Sequence, residues 1–219
     1  MAPLRLLLLL VLLSACAPRP LPPEARLLGA EVRGLELSPG PALLLALRVE
    51  LQNPNPFPLP LAALGARLRV GEVVVPLDLT LAPGRQEEAL LVRLTPQAAL
   101  ATVQALLSRE GVLVALEGRT LGQELTFFRT RVALPLEPLR VRRAGVNLYL
   151  ENPNPIPLKA EGSLLFLGQR LSVRADLPAR GEARLQVVGL RPGLERGGGR
   201  LELTLEVPGF TRFSLELPL

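Results

Sequence analysis

The stretch that decides the fold is Gln52–Leu61, QNPNPFPLPL, which returns in altered form as Glu151–Ala160, ENPNPIPLKA. The two Asn-Pro-Asn-Pro cores begin at Asn53 and Asn152, which lie 99 residues apart. That spacing is the size of one small domain. The repeat therefore indicates a duplicated domain rather than a single fold over the whole chain.

The similarity extends beyond the two phrases. Leu47–Leu51 before the first phrase and Val146–Leu150 before the second carry an apolar residue at every second position, as half-buried strands do. Four glycines after the phrases align once a two-residue offset is allowed. We expect hairpin turns at these glycines, which are Gly65, Gly71, Gly162 and Gly168.

The phrase constrains the backbone through its prolines. Proline has no backbone N–H, so alternating prolines remove every hydrogen-bond donor from one edge of an extended segment. Such a segment can end a strand or lie along a sheet edge, but it cannot lie between two strands. The asparagines can bond nearby backbone through side-chain turns. We interpret the phrase as a structural strand terminator, with a ligand-binding loop as the alternative; its motif residues are Asn53, Pro54, Asn55, Pro56, Asn152, Pro153, Asn154 and Pro155.

The beginning of the chain has the layout of a signal peptide. Arg5 is followed by the apolar run Leu6–Leu13, which is too short to span a bilayer, and then by Ser14-Ala15-Cys16. The residues LSAC resemble the lipobox of bacterial lipoproteins, which implies cleavage after residue 15 and a lipid on Cys16. The alternative is an ordinary leader with an incidental cysteine.

These features predict a location. Residues 1–15 are the expected signal peptide, and residues 16–25 are the expected lipidated cysteine with a proline-rich tether that holds the fold off the membrane. Cys16 is the single cysteine, so no internal disulfide can form. We expect the protein in the bacterial cell envelope, bound to a membrane through the lipid and facing the periplasm or the exterior.

Two domains are predicted in the rest of the chain, over residues 26–137 and 138–219. Short alternating segments with Gly and Pro turns, in units of about 100 residues, are typical of antiparallel β-sandwiches. The expected fold is mainly β, with two tandem immunoglobulin/fibronectin-like antiparallel β-sandwiches. Pro135 and Pro138 mark a tight junction, so we expect the domains to be joined nearly rigidly.

One helix is expected in the first domain, over about residues 96–110. Thr95 suits the N-cap, Pro96 suits the first helical position, and Gly111 suits the position just past the end. The expected apolar face packs on the sheets, or alternatively covers a lipid or partner groove; it comprises Leu100, Val103, Leu106 and Leu107. The second copy has the glycine-rich segment Arg191–Arg200 at this place, which predicts a loop.

The phrase, after an alternating strand and before a glycine-turn hairpin, resembles the type-2 late embryogenesis abundant family. This family is also called the WHy domain, for water stress and hypersensitive response. The resemblance is carried by Gln52–Leu61 and Glu151–Ala160. It implies an immunoglobulin-like or fibronectin-like sandwich with one helix, and a link to desiccation, cold or other stress. Some members protect other proteins from aggregation. No catalytic residues come with the family.

The composition argues against an enzyme and against nucleic-acid binding. The chain has no histidine, and its one cysteine is assigned to lipid. It has 25 basic and 20 acidic residues, which is not the concentrated charge of a nucleic-acid binder. It has no tryptophan and one tyrosine, Tyr149, so aromatic platforms for sugars or bases are scarce. We expect no catalytic residues, no metal and no cofactor.

Five arginines near the predicted junction form a candidate anionic-surface contact, with lipid headgroups or envelope polymers as partners. The alternative is a solvated strand face. The residues are Arg129, Arg131, Arg140, Arg142 and Arg143.

Two functional hypotheses follow. The first is a lipid-anchored, non-enzymatic envelope protein with a stress-protective role of the desiccation or heat type, or a protein-interaction role. Its partners would be unknown envelope proteins or stress-labile client proteins. The alternative is binding or transfer of lipid or another apolar ligand in a groove of the sandwich or between the domains.

Overall fold

A computed structural model describes residues 21–120, 123–145, 147–166, 168–189 and 199–219. Within them the protein is mainly β, with two immunoglobulin-like sandwiches and one α-helix in the first. No helix in these ranges is both long enough and apolar enough to cross a bilayer.

The first domain contains the helix α1 (Pro96–Leu107) between its seventh and eighth strands. Its strands are β1 (Glu24–Glu36), β2 (Ala42–Asn53), β3 (Leu59–Pro60), β4 (Arg67–Val70), β5 (Val73–Pro76), β6 (Thr80–Leu81), β7 (Gly84–Leu94), β8 (Val112–Thr120) and β9 (Gln123–Val132).

The second domain follows after a linker, residues 133–139. Its strands are β10 (Arg140–Ala144), β11 (Asn147–Asn152), β12 (Leu158–Phe166), β13 (Gln169–Leu177), β14 (Gly181–Arg184), β15 (Gln186–Val187), β16 (Gly199–Val207) and β17 (Thr211–Pro218).

The two domains share one strand order. In the first, the sheet β1-β2-β7 faces the sheet β5-β4-β8-β9; in the second, β10-β11-β14 faces β13-β12-β16-β17, with β15 added at the β13 edge. All pairings are antiparallel. Each sheet buries one face on the other, which is the sandwich that the alternating sequence predicted. Seven strands correspond between the domains, whereas β3 and β6 of the first domain and β15 of the second have no counterpart.

The core is built mainly from leucine on the inner faces of both sheets. In β2, the residues at every second position from Leu43 to Leu51 are at most 1% exposed. In β11, Leu148 and Leu150 hold the same places. Full burial of one such side chain stabilises a fold by about 1.5–3 kcal/mol, so these central strands contribute much of the driving force for folding.

The helix differs from its prediction at the end and on its face. It begins at Pro96 as expected, but it ends at Leu107, because the Ser108 hydroxyl donates a hydrogen bond to the Ala105 carbonyl and closes the last turn (2.9 Å). Leu100 is 40% exposed and lies outside the buried face of the helix. The buried face is Ala99, Thr102, Val103 and Leu106.

Two of the four aligned glycines form hairpin turns, as predicted. Gly71 joins β4 to β5 and Gly168 joins β12 to β13, both with positive φ. Gly65 instead ends a 3₁₀ turn, Leu61–Leu64. The expectation of a hairpin turn at Gly162 is wrong: it lies within β12, where a Cβ atom would come within 2.0 Å of the carbonyl oxygen of Glu202 on β16. That position requires a glycine because two strands approach closely.

The domains meet at a packed junction. The Leu134 N–H donates to the Leu106 carbonyl at the end of α1 (2.7 Å), which fixes the start of the linker on the first domain. Across the junction, Gly209 in the β16–β17 turn lies against Pro41 in the β1–β2 loop. Buried side chains of both domains form one continuous hydrophobic cluster. These contacts join the two domains; whether the joint is rigid stays a prediction.

We predict that Gly209→Ala destabilises the protein more than Gly168→Ala. Both glycines have positive φ, +80° and +74°, which costs an alanine about 1 kcal/mol or more. A Cβ at position 209 would also lie 2.6 Å from the Cγ of Pro41, whereas position 168 has no atom within 4 Å. Denaturant unfolding of both variants measures the difference. Equal losses would show that the Pro41 contact contributes nothing.

Candidate functional site

The asparagines of the repeated phrase lie at the end of the central strand in each domain. Strand alternation places Asn53 on the inner face after Leu51, and Asn152 on the inner face after Leu150. Both side chains are therefore buried at the mouth of a sandwich. A buried carboxamide is costly unless its hydrogen bonds are made, so its partners decide what the phrase does.

We call the pair Asn53 and Asn55 the first clasp. The Asn53 amide group donates to the carbonyl oxygens of Phe57 (2.8 Å) and Leu81 (3.1 Å). Its carbonyl oxygen accepts from the backbone N–H of Asn55 (3.0 Å) and from the Asn55 side chain (2.9 Å). Asn55 in turn forms two hydrogen bonds with the backbone of Leu21: its Nδ2 donates to the Leu21 carbonyl and its Oδ1 accepts from the Leu21 N–H, both at 2.8 Å.

The second clasp, Asn152 and Asn154, repeats this pattern. Asn152 donates to the carbonyl oxygens of Ile156 (2.8 Å) and Pro178 (2.9 Å) and accepts from Asn154 at its backbone N–H and its side chain, both at 3.0 Å. The Asn154 side chain forms two hydrogen bonds with the backbone of Glu137: it donates to the carbonyl (2.9 Å) and accepts from the N–H (2.7 Å). Glu137 belongs to the linker.

Each clasp therefore joins three pieces of chain: the phrase itself, the segment before β7 or β14, and the segment that enters the domain. The first asparagine of each clasp uses both of its amide hydrogens and both acceptor sites within the protein. Among the described residues no buried side-chain polar atom lacks a partner. No hydrogen-bonding capacity of Asn53 or Asn152 is left for a ligand, which favours the structural interpretation of the phrase over a ligand-binding loop.

The prolines act as the sequence predicts. β2 ends at Asn53 and β11 ends at Asn152, each directly before the first proline of its phrase. After the first phrase the chain forms the two-residue edge strand β3 and the 3₁₀ turn. After the second it enters β12 directly at Leu158, which accounts for the two-residue offset between the copies.

The segment that leads into the first domain is bound to that domain from Leu21 onward, earlier in the chain than the sequence indicates. The predicted tether included residues 16–25, yet Leu21 is bound by Asn55, Pro23 is buried, and β1 begins at Glu24. The spacer between residue 16 and the folded domain is therefore short. Cys16 itself, and residues 191–198 of the predicted glycine-rich loop, lie outside the described residues.

A cleft of about 290 Å³, which we call the junction cleft, opens between the domains beside the second clasp. Its walls come from β1, the end of α1, the linker and the second phrase, and they are mainly apolar. Arg180 lies at its edge with φ +49°, a left-handed conformation, and donates its backbone N–H to the Asn154 carbonyl (2.8 Å). The apolar lining residues are Ala30, Val32, Leu107, Ala133, Leu134, Pro135, Leu136, Pro155 and Ile156.

The five candidate arginines lie on two strands on either side of the linker. Arg129 and Arg131 are on β9, and Arg140, Arg142 and Arg143 are on β10, a strand that the sequence pattern does not indicate. All five are exposed.

Arg131 and Arg142 bind groups of their own chain. Arg131 donates to the Glu110 and Gly111 carbonyls (3.0 and 3.3 Å). Arg142 donates to Glu182 (2.8 Å) and lies 4.5 Å from the centre of the Tyr149 ring. The hydrogen bond to Glu182 raises the pKa of Arg142. Its charge is therefore kept but balanced, which weakens the attraction to an external anion.

Many of the carboxylates form ion pairs with arginines. Pairs link Arg85 to Glu50, Arg170 to Glu202 (2.7 Å), Arg200 to Glu216 (3.2 Å) and Arg212 to Glu206 (2.6 Å). In the part of the chain that the structure describes, no group of three or more His, Cys, Asp or Glu residues could hold a metal ion. These surface pairs are solvated faces and offer no acid–base dyad.

We predict that Asn152→Ala lowers the free energy of unfolding by about 3 kcal/mol, because it leaves buried backbone groups of Asn154, Ile156 and Pro178 without partners. Gln169→Ala removes an exposed carboxamide in the same domain and should change that free energy by less than about 0.5 kcal/mol. Urea unfolding followed by circular dichroism measures both. Equal stabilities of the two variants would contradict a clasp that holds the domain together.

Comparison with known proteins finds only distant structural similarity. Neither a protein-family model nor a curated protein matches the chain. Among solved structures, the crystal structure of the YadV chaperone matches 87% of this chain and 98% of that chain, with 15% sequence identity and a TM-score of 0.33. A TM-score this low supports no conclusion about activity, partners or location.

Proposed function

We propose that the protein is a lipid-anchored component of the bacterial cell envelope that acts without catalysis, through its surface. Its role is protection of stress-labile proteins, or contact with envelope proteins, as the resemblance to the type-2 late embryogenesis abundant family implies. The lipid on Cys16 determines where it works. The two sandwiches form the working part.

The observation that carries the proposal is the repeated clasp. The side-chain polar groups of Asn53 and Asn152 are hydrogen-bonded within the protein. These residues therefore stabilise the fold and are not free to bind or activate a substrate. The inner faces of both sandwiches are filled by leucine-rich clusters. The filled interiors support action through the protein surface over binding in the core.

The alternative, carriage of an apolar ligand, is supported by the junction cleft. Its walls are apolar, but its volume of about 290 Å³ is at the lower limit of the ~300–1,000 Å³ typical of ligand pockets. The cleft suits one short apolar chain and not a diacyl lipid. A lipid in the native mass spectrum of the purified protein would favour this candidate over the first.

A protection assay tests the proposed role. A heat- or drying-sensitive reporter enzyme is stressed with the protein that lacks residues 1–15 and carries Cys16→Ser, or with an unrelated β-sandwich of the same size. We expect the reporter to keep more activity and to scatter less light with this protein. Protection no better than that given by the unrelated sandwich would reject a protective role and leave the protein-contact role.

Cell fractionation tests the anchor. Cys16→Ser should move the protein from the membrane fraction to the soluble fraction, because it removes the only sulfur that can carry the lipid. Pro18→Ser, two residues away, keeps the cysteine and should remain in the membrane fraction. Retention of Cys16→Ser in the membrane, together with wild-type protein that carries no lipid in its mass spectrum, would overturn the anchor.

A further inference from the structure

We propose that the end of the first domain that carries Phe57 lies in the interfacial region of the membrane, with Phe57 as the inserted side chain. We call this end the Phe57 pole and define it by Leu21, Asn55 and Phe57. The proposal rests on the lipid anchor at Cys16 proposed above. It adds a second membrane contact made by the folded domain.

The repeat identifies the pole as a contact surface. Phe57 and Ile156 each follow directly after an Asn-Pro-Asn-Pro core. Ile156 is completely buried and lines the junction cleft together with Val32 and Leu136. Phe57 is 37% exposed. In the second domain, the residue at this position is buried where the two domains meet. In the first domain, the residue at the same position exposes an apolar ring to the outside.

The length of chain before the pole limits what can cover it. Asn55 holds the backbone of Leu21 by two hydrogen bonds of 2.8 Å, and Leu21 is five residues after Cys16. A chain advances at most about 3.6 Å per residue, so Leu21 lies within about 18 Å of the lipid-bearing residue in any conformation. The headgroup region itself occupies about 5–8 Å on each side of the hydrocarbon core.

This short distance favours the membrane as the occupant. A folded domain of 100 residues has a radius of gyration of about 13 Å, so it is too wide to fit between the pole and the bilayer. Two of the three residues that define the pole have exposed side chains, Leu21 at 57% and Phe57 at 37%, and both are apolar. Aromatic and leucine side chains are suited to the interface, and the polar groups of Asn55 are buried and bonded.

The test uses the absence of tryptophan from the chain. Phe57→Trp in the full lipidated protein introduces one fluorophore at the pole. Val74→Trp is the matched control, because Val74 is 43% exposed in the same domain. It lies in the β4–β5 hairpin, whose turn contacts α1 through the Glu72 N–H and the Thr102 hydroxyl, at the other end of the sandwich from the phrase.

Both proteins are reconstituted in vesicles of phosphatidylethanolamine and phosphatidylglycerol, with and without brominated acyl chains. We expect the emission of Phe57→Trp to shift to shorter wavelength and to be quenched by the brominated lipids. The emission of Val74→Trp should stay at its solvent-exposed wavelength and lose no intensity. Flotation of the vesicles with the protein confirms that the anchor is in place.

The possible failures are distinguishable. If the protein does not float with the vesicles, the anchor is absent, and both the proposed location and this inference fail. If the protein floats but Phe57→Trp remains solvent-exposed, or is quenched no more than Val74→Trp, the inference alone is wrong. A wavelength shift that grows with protein concentration without vesicles would overturn it in favour of docking between copies.

Discussion

Two hydrogen bonds between the side chain of Asn154 and the backbone of Glu137 connect the second domain to the linker, and the arrangement of the whole molecule depends on them. The linker is also bound at its other end, where Leu134 donates to the last turn of α1. A seven-residue connection fixed at both ends cannot act as a free hinge. The Pro41–Gly209 contact adds a further point of contact between the domains.

The same geometry has a different consequence in the first domain. Asn55 makes the equivalent pair of bonds, but its partner is Leu21, in the segment that leads to the predicted lipid-bearing cysteine. The same pair of bonds therefore holds the linker from the preceding domain in one copy and the segment after the predicted lipid-bearing cysteine in the other. The clasp is stable because every buried carboxamide has partners; without them each unsatisfied group would cost about 1–3 kcal/mol.

Much of this architecture follows from the sequence. Alternation along Leu47–Leu51 and its repeat predicted the central strands, and the missing N–H groups of the prolines predicted where they end. The same alternation, continued by two residues, places Asn53 on the core face. The burial of this asparagine can therefore also be predicted from the sequence. The sequence pattern could not supply the partners, because Leu21, Glu137 and Pro178 are plain backbone acceptors or donors that no residue type marks.

Other features depended on tertiary contacts. Gly162 has the sequence environment of a turn but is required by the approach of the Glu202 carbonyl from a neighbouring strand. The arginine-rich β10 was not predicted as a strand because three of its five residues are arginine, although Val141 faces inward and pairs with Leu150. The early end of α1 reflects a local competition in which the Ser108 hydroxyl closes the helix before Gly111 is reached.

The most direct measurement of the central claim is the distance between the domains in solution. Spin labels on cysteines introduced at the exposed positions Leu91 and Lys159, in a chain that carries Cys16→Ser, report that distance by pulsed electron paramagnetic resonance. We expect one narrow distance distribution for the otherwise unchanged chain and a broad one when Asn154→Ala is added. A broad distribution with the clasp intact, or an equally narrow one without it, would contradict the role assigned to Asn154.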